Sequence, residues 1–195
     1  FDSPYGLDVA PDGTVYFTAQ FNGVFAIDPE GTIRHVAGRY RDCDPPEVES
    51  CALEGVATEV NMMPFGISVA PDGSIYVTEG FWATTVGRVG PDGLITTVAG
   101  PTKADVRGEP DCDEVGRPAS QMCLWPLDVA VGPDGTVYVL DTYDISATST
   151  GYRVLAFGAD GRSRLVVDLS QESATFRPYR LSVDARGMLY VSDER

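Results

Sequence analysis

One phrase recurs four times in this chain, and it limits what the chain can become. Pro11-Asp12-Gly13-Thr14-Val15-Tyr16-Phe17-Thr18 returns as Pro71-Asp72-Gly73-Ser74-Ile75-Tyr76-Val77-Thr78-Glu79 and again as Pro133-Asp134-Gly135-Thr136-Val137-Tyr138-Val139-Leu140-Asp141. A diverged copy, Ala185-Arg186-Gly187-Met188-Leu189-Tyr190-Val191-Ser192-Asp193, completes the set. Each copy has a proline seven residues upstream: Pro4, Pro64, Pro126 and Pro178. These prolines fall about 50 to 60 residues apart, the spacing of an array built from one structural unit.

The phrase itself reads as a turn followed by a strand. Pro-Asp-Gly supplies a preset φ, a side-chain acceptor for the turn and a residue that tolerates positive φ. The β-branched and aromatic residues after it suit a pleated, half-buried strand. Strands are expected in the first unit at 6–10, 14–19, 24–27 and 32–37, and in the second at 67–70, 74–79, 85–89 and 94–99. The third unit is expected to use 128–131, 136–140, 152–157 and 162–167, and the fourth stops after 181–183 and 188–192. Only 54–63 holds residues that tolerate a helix. Repeated four-stranded meanders leave both faces of each sheet wet unless the sheets stack around an axis. The expectation is an all-β propeller filling residues 1–195, with blades at about 4–38, 64–100, 126–169 and an incomplete 178–195. That makes about three and a half blades of an expected six, an open arc with further sequence on either side. A self-closing pair of chains is the alternative.

Charge narrows the partners. The net charge of −15 repels a phosphate backbone and argues against nucleic acid. No apolar run reaches the ~18–20 residues that span a bilayer, so direct membrane insertion is not expected. A protein partner, adjacent domains of the same chain, or a second copy fits this surface better.

The four cysteines sit in the links between units. Cys43 and Cys51 lie in the first link, Cys112 and Cys123 in the second, and both first members stand in an Asp-Cys-Asp triplet. Two local pairs at equivalent places predict the disulfides Cys43–Cys51 and Cys112–Cys123, hence an oxidising, extracellular or cell-surface location. Free thiols or zinc are the alternatives, though neither link has the CxxC or histidine that a zinc site would use.

Pro-x-Gly-[Leu/Ile]-x-Val-Ala-Pro-Asp-Gly-x-[Ile/Val]-Tyr-Val resembles the NHL repeat over essentially the whole chain. The links sharpen the likeness. Val36-Ala37-Gly38, Gly55-Val56-Ala57-Thr58 and Met63-Pro64-Phe65-Gly66 are similar to the teneurin NHL propeller, as is Leu124-Trp125-Pro126-Leu127-Asp128-Val129-Ala130. That resemblance implies a secreted or surface-exposed protein of the teneurin-like or bacterial Rhs/YD-repeat kind, in which the propeller adjoins a large β-shell.

Candidate chemistry is sparse. His35 is the only histidine, in a slot that holds Thr97 and Leu165 in the next units, and one histidine cannot build a zinc site. Glu79, Asp141 and Asp193 each follow the second strand of their units, where the first unit has Ala19. A carboxylate there can accept backbone N–H groups, which is the favoured reading; calcium is the other. The links offer a second calcium cluster in Asp42, Asp44, Asp111 and Asp113, with a solvated loop as the plainer reading. No catalytic residue and no cofactor beyond that possible calcium is expected. The resulting function is a non-enzymatic interaction or structural module. The alternatives are a calcium-dependent six-bladed propeller hydrolase or lactonase and the ligand-sensing ectodomain of a bacterial receptor.

Overall fold

The computed structural model describes residues 4–39, 53–79, 84–101, 112–146, 149–170 and 176–193. Strands β1 (Pro4–Val9), β2 (Val15–Ala19), β3 (Gly23–Ile27) and β4 (Ile33–Ala37) form one antiparallel meander. A short β5 (Gly55–Val56) precedes the second meander of β6 (Pro64–Val69), β7 (Ile75–Glu79), β8 (Thr85–Val89) and β9 (Leu94–Ala99). The third comprises β10 (Pro126–Val131), β11 (Val137–Ser146), β12 (Ser149–Phe157) and β13 (Ser163–Asp168). Finally β14 (Pro178–Val183) pairs with β15 (Leu189–Asp193).

The repeated turn works as its residues suggest. Gly13 N–H donates to Ala10 O (2.9 Å) and Ala10 N–H to Thr14 O (2.9 Å), with Gly13 at φ 87°. Asp12 Oδ1 accepts from Thr14 N–H at 2.9 Å, and the same side-chain bond recurs at Asp72 and Asp134. In the diverged copy Asp184, two residues earlier in the turn, accepts from both Met188 N–H (2.8 Å) and Arg186 N–H (2.9 Å) instead. These carboxyls are held below the usual carboxylate range, chiefly by those backbone donors.

Register confirms the equivalence of the units. Pro4, Pro64, Pro126 and Pro178 face Ala19, Glu79, Asp141 and Asp193 across the first two strands of their sheets. A bulge follows each proline, adding one residue to the inner strand and turning it along the axis. Strand β1 packs beside β6, β6 beside β10, and β10 beside β14, so the sheets succeed one another as blades with these strands innermost. Three apolar clusters fill the spaces between successive blades.

Three features add to or depart from the sequence-based expectation. Segment 54–63 forms β5 on the outer edge of β9, followed by a single 3-10 turn, Ala57–Glu59. Its carbonyls are committed elsewhere: Ala57 O accepts from Gly38 N–H (2.8 Å) and Val60 O from Arg39 N–H (2.9 Å). The β11–β12 hairpin runs to Ser146 and Ser149, well past 140, because its ladder continues beyond the blade edge. Lastly, β1 and β14, expected at opposite ends of an arc, share no ladder but meet through side chains, with Tyr5 and Tyr179 ring centroids 5.7 Å apart.

Candidate functional site

The four inner strands surround a cavity of about 380 Å³. Aliphatic residues such as Ile67, Val129 and Leu181 line it together with the polar Asp8, Ser68, Asp128, Arg180 and Ser182, and polar atoms make up the larger part of its exposed wall. None of Glu79, Asp141 or Asp193 lines it.

The polar groups tie strand to strand. Asp8 Oδ2 accepts from Val69 N–H on β6 at 2.7 Å. Ser68 Oγ accepts from Val131 N–H on β10 at 3.1 Å, and Asp128 Oδ2 from Leu181 N–H on β14 at 2.8 Å. Arg180 then returns to β1, donating from Nη2 to Tyr5 O. Its guanidinium lies 5.2 Å from the Tyr5 ring centroid and 4.6 Å from that of Tyr179, positions that favour cation–π attraction. Tyr5 also meets Phe65 edge-on at 4.9 Å. Side chains thus link the inner strands in a complete circuit around the axis.

Burial shapes the electrostatics of this circuit. Asp128 is pushed up to about 6, first by burial, against the pull of the Leu181 N–H and the Arg180 charge. Its raised value means that the folded state penalises the carboxylate. That penalty is absent below the unfolded value near 3.8, grows as pH rises, and is complete above about 6. Asp128→Asn keeps an acceptor for Leu181 N–H and removes the penalty. We expect it to gain about 2 kcal/mol over the parent at pH 8 and to gain nothing at pH 4. Urea unfolding at both values checks this, and an equal difference at the two would show that Asp128 is not penalised.

Asp8, Asp128 and Arg180 were not singled out by sequence. For Asp128 and Arg180 the available signal is their slot: the third position of the inner strand reads Gly6, Gly66, Asp128 and Arg180 along the chain. Where it is glycine there is a reason. A Cβ on Gly66 would stand 2.1 Å from Asp128 Oδ1 and 2.7 Å from its Cα, so the next blade occupies that space.

The residues that sequence did single out lie elsewhere and apart. Asp141 is fully buried at the end of the β11 blade segment, where Oδ1 accepts from Trp125 N–H (2.6 Å) and Oδ2 from Arg153 Nε (2.9 Å). Burial pushes its pKa up to about 6, with the Arg153 charge pulling the other way. Glu79 is buried at the equivalent place on β7, and Asp193 accepts from Arg177 N–H at 3.3 Å on β15. These three carboxylates sit on three different blades. Asp113 contributes its carbonyl, which accepts from Arg153 Nη1 at 2.8 Å. Among the described residues, no three His, Cys, Asp or Glu side chains gather as a metal-holding group. Asp42, Asp44 and Asp111 lie outside the described residues.

Cys112 and Cys123 are joined by a disulfide with their Cα atoms 5.2 Å apart. The pair Cys43 and Cys51 lies outside the described residues. His35 stands on the outer strand β4 opposite Phe25, and its Nε2 approaches Gly38 O at 2.5 Å, a structural setting. No helix among the described residues is long and apolar enough to cross a membrane.

No family model matches the chain. It is 30% identical over 174 residues to teneurin-4 of Mus musculus, covering 81% of this chain and 6% of that protein. With teneurin-1 of Mus musculus it shares 31% identity over 173 residues, 82% of this chain and again 6% of the relative. The chain therefore matches only a small part of these relatives' length. Among solved structures, a gluconolactonase from Xanthomonas campestris superposes with a TM-score of 0.57 at 19% identity, covering 97% of this chain and 56% of the other. A streptogramin B lyase gives 0.54 at 17% identity, with coverages of 97% and 48%. At such identities the likeness is one of fold: the sheets described above are blades of a β-propeller.

Proposed function

We propose that these blades are of NHL type and act as a non-enzymatic interaction or structural module of an extracellular protein of the teneurin-like or Rhs/YD-repeat kind. The observation that carries this reading is the extent of the teneurin likeness, 81% of the chain, so that it takes in links as well as blades. The wiring of the buried acids supports it. Asp141 is spent on Arg153 and the Trp125 N–H, Asp128 on Leu181, and Asp8 on Val69. Acids engaged in this way serve the scaffold and have little capacity left to activate water or hold an ion. The disulfide at Cys112 suits an oxidising compartment. The strongly acidic surface fits a basic protein face as partner.

The test is an assay of the purified chain with lactone and ester substrates, with and without calcium. No turnover above the uncatalysed background is expected, and Glu79→Gln or Asp141→Asn should change nothing in that readout. Calcium-dependent turnover abolished by either substitution would replace this reading with the hydrolase one.

A further inference from the structure

A repeat allows each blade to be read against the others, and the departures of the third blade gather at one corner. Between the slots that pair across the second and third strands stand residues 20–22 in the first blade, 80–84 in the second and 142–152 in the third, which is three, five and eleven residues. The added length continues the ladder, from Asp141 opposite Arg153 out to Ser146 opposite Ser149. An insertion carried by one repeat projects from one face of the array, often the face that binds. This blade is flanked on both sides, by β6 and by β14 against β10, so the stem does not owe its exposure to a missing neighbour.

The second departure stands beside the stem. The residue before the inner-strand proline is Met63 in the second blade, 4% exposed, and Trp125 in the third, 45% exposed. Trp125 is nevertheless held by its backbone: its N–H donates to Asp141 Oδ1, and its carbonyl accepts from Thr142 N–H (3.1 Å) and Thr142 Oγ1 (3.3 Å). The third departure is the root itself. Arg153 joins Asp141 and Asp113 O there, its guanidinium lies 4.8 Å from the Tyr143 ring centroid, and Tyr143 OH donates to Asp168 Oδ2 at 3.0 Å. A stem and an indole fixed in this way lose little freedom when something docks on them. The charge left exposed at the root is negative. Asp168 and Glu114 face solvent, whereas Arg153 is buried on Asp141 and Arg162 donates to Gly116 O.

We propose that this corner docks a partner protein through an Arg- or Lys-bearing segment laid across the root of the stem. One cation of the segment stacks on the Trp125 indole, the side chain best suited to that contact. A second meets Asp168, and the exposed Thr150 of the stem borders the segment. The occupant is basic because the exposed charge here is negative and the whole chain carries −15. Trp125 is the anchor, since a rigid aromatic contributes most where it is covered. The inference rests on the reading of the chain as an interaction module and adds where the partner sits.

A displayed library of random linear peptides, selected on the 195-residue chain, supplies the probe. The selected peptides should be rich in Arg and Lys, and the best of them is then synthesised and titrated against variants. Trp125→Ala should weaken its binding by about 10- to 100-fold, and Asp168→Lys and Thr150→Lys by about 5- to 10-fold each. Glu30→Lys makes the same change of charge as Asp168→Lys on a turn at the opposite face, and it should leave binding within about 2-fold. Circular dichroism checks that each variant is folded; Asp168 and Thr150 are exposed, so their variants carry the test even if Trp125→Ala does not fold. Selected peptides without an excess of cations, or no selected peptide at all, would overturn the proposal. Equal losses with Glu30→Lys and Asp168→Lys would overturn it as well, since net charge alone would then account for binding. Peptides that bind every corner variant as they bind the parent would overturn the corner while leaving the interaction-module reading in place, and that reading falls separately, on calcium-dependent turnover.

Discussion

Arg153→Ala is expected to cost about 3–5 kcal/mol of stability at neutral pH, the largest effect of any substitution considered. Asp141 is fully buried and Arg153 nearly so, with Nε 2.9 Å from Oδ2. Removing the cation leaves a carboxylate in the interior with only the Trp125 N–H to meet it. The substitution also removes the donor to Asp113 O and the guanidinium that lies 4.8 Å from the Tyr143 ring centroid. The sign of the pH dependence follows from the cause. Burial already raises the Asp141 pKa and Arg153 opposes it, so losing Arg153 raises it further. The unpaired charge is then relieved by protonation, and the deficit relative to the parent shrinks as pH falls from 8 towards 5. Urea titrations across that range measure it. The paired replacement Asp141→Leu with Arg153→Met should recover most of the loss, since a buried ion pair gives little net stability over apolar packing. A deficit below about 1 kcal/mol that ignores pH would mean that the pair is solvated and the blade does not depend on it.

How far this could be read from the chain depends on the range of each interaction. Turns and strands were legible because their causes are local: Asp12 meets Thr14 two residues on, and Gly13 takes the positive φ. The repeat then aligned the units, and Pro4, Pro64, Pro126 and Pro178 fall in one register across four sheets. The axis was not legible. Asp8 to Val69 and Asp128 to Leu181 span more than fifty residues, and whether they meet depends on how sharply the blades curve. A repeat also averages away the positions that differ between copies. Gly6, Gly66, Asp128 and Arg180 look like drift until the cavity brings Gly6, Asp128 and Arg180 to one wall, with Gly66 against Asp128. The carboxylate slot carries a usable signal in the residue that faces it. Opposite Ala19, Glu79 and Asp141, the third strands place Gly23, Thr85 and Arg153, so the buried Asp comes with its own cation. Segment 54–63 stayed open because its residues tolerate a helix without helical periodicity, and its pairing with the neighbouring blade, a non-local contact, decides its backbone.

Opening the Cys112–Cys123 link by Cys112→Ala with Cys123→Ala should lower stability by about 3 kcal/mol and the melting temperature by about 6–12 °C. Substitution is the sharper test than a reductant, which would act on every disulfide in the chain. The bridge closes a loop between residues eleven apart, and Cys123 N–H also donates to Cys112 O at 2.8 Å. Several bonds hold this loop in place without the bridge. Gly116 N–H reaches Ser163 Oγ at 2.9 Å, Arg162 Nη1 reaches Gly116 O at 2.7 Å, and Ser163 N–H reaches Arg117 O at 2.9 Å. The folded geometry should therefore survive, and the loss arises from the freedom that the unfolded chain regains. That distinction has a measurable consequence. If the bridge acts through the unfolded state, its removal and Arg153→Ala should add to within about 0.5 kcal/mol, because they then act on different states. If instead the bridge positions Asp113 O for Arg153 Nη1, the double variant will lose less than the sum. Additivity is the expected result, with near-ultraviolet circular dichroism of the bridge-free chain close to that of the parent. An unchanged unfolding free energy after removing both cysteines would show that the loop is already as constrained in the unfolded chain as the bridge could make it.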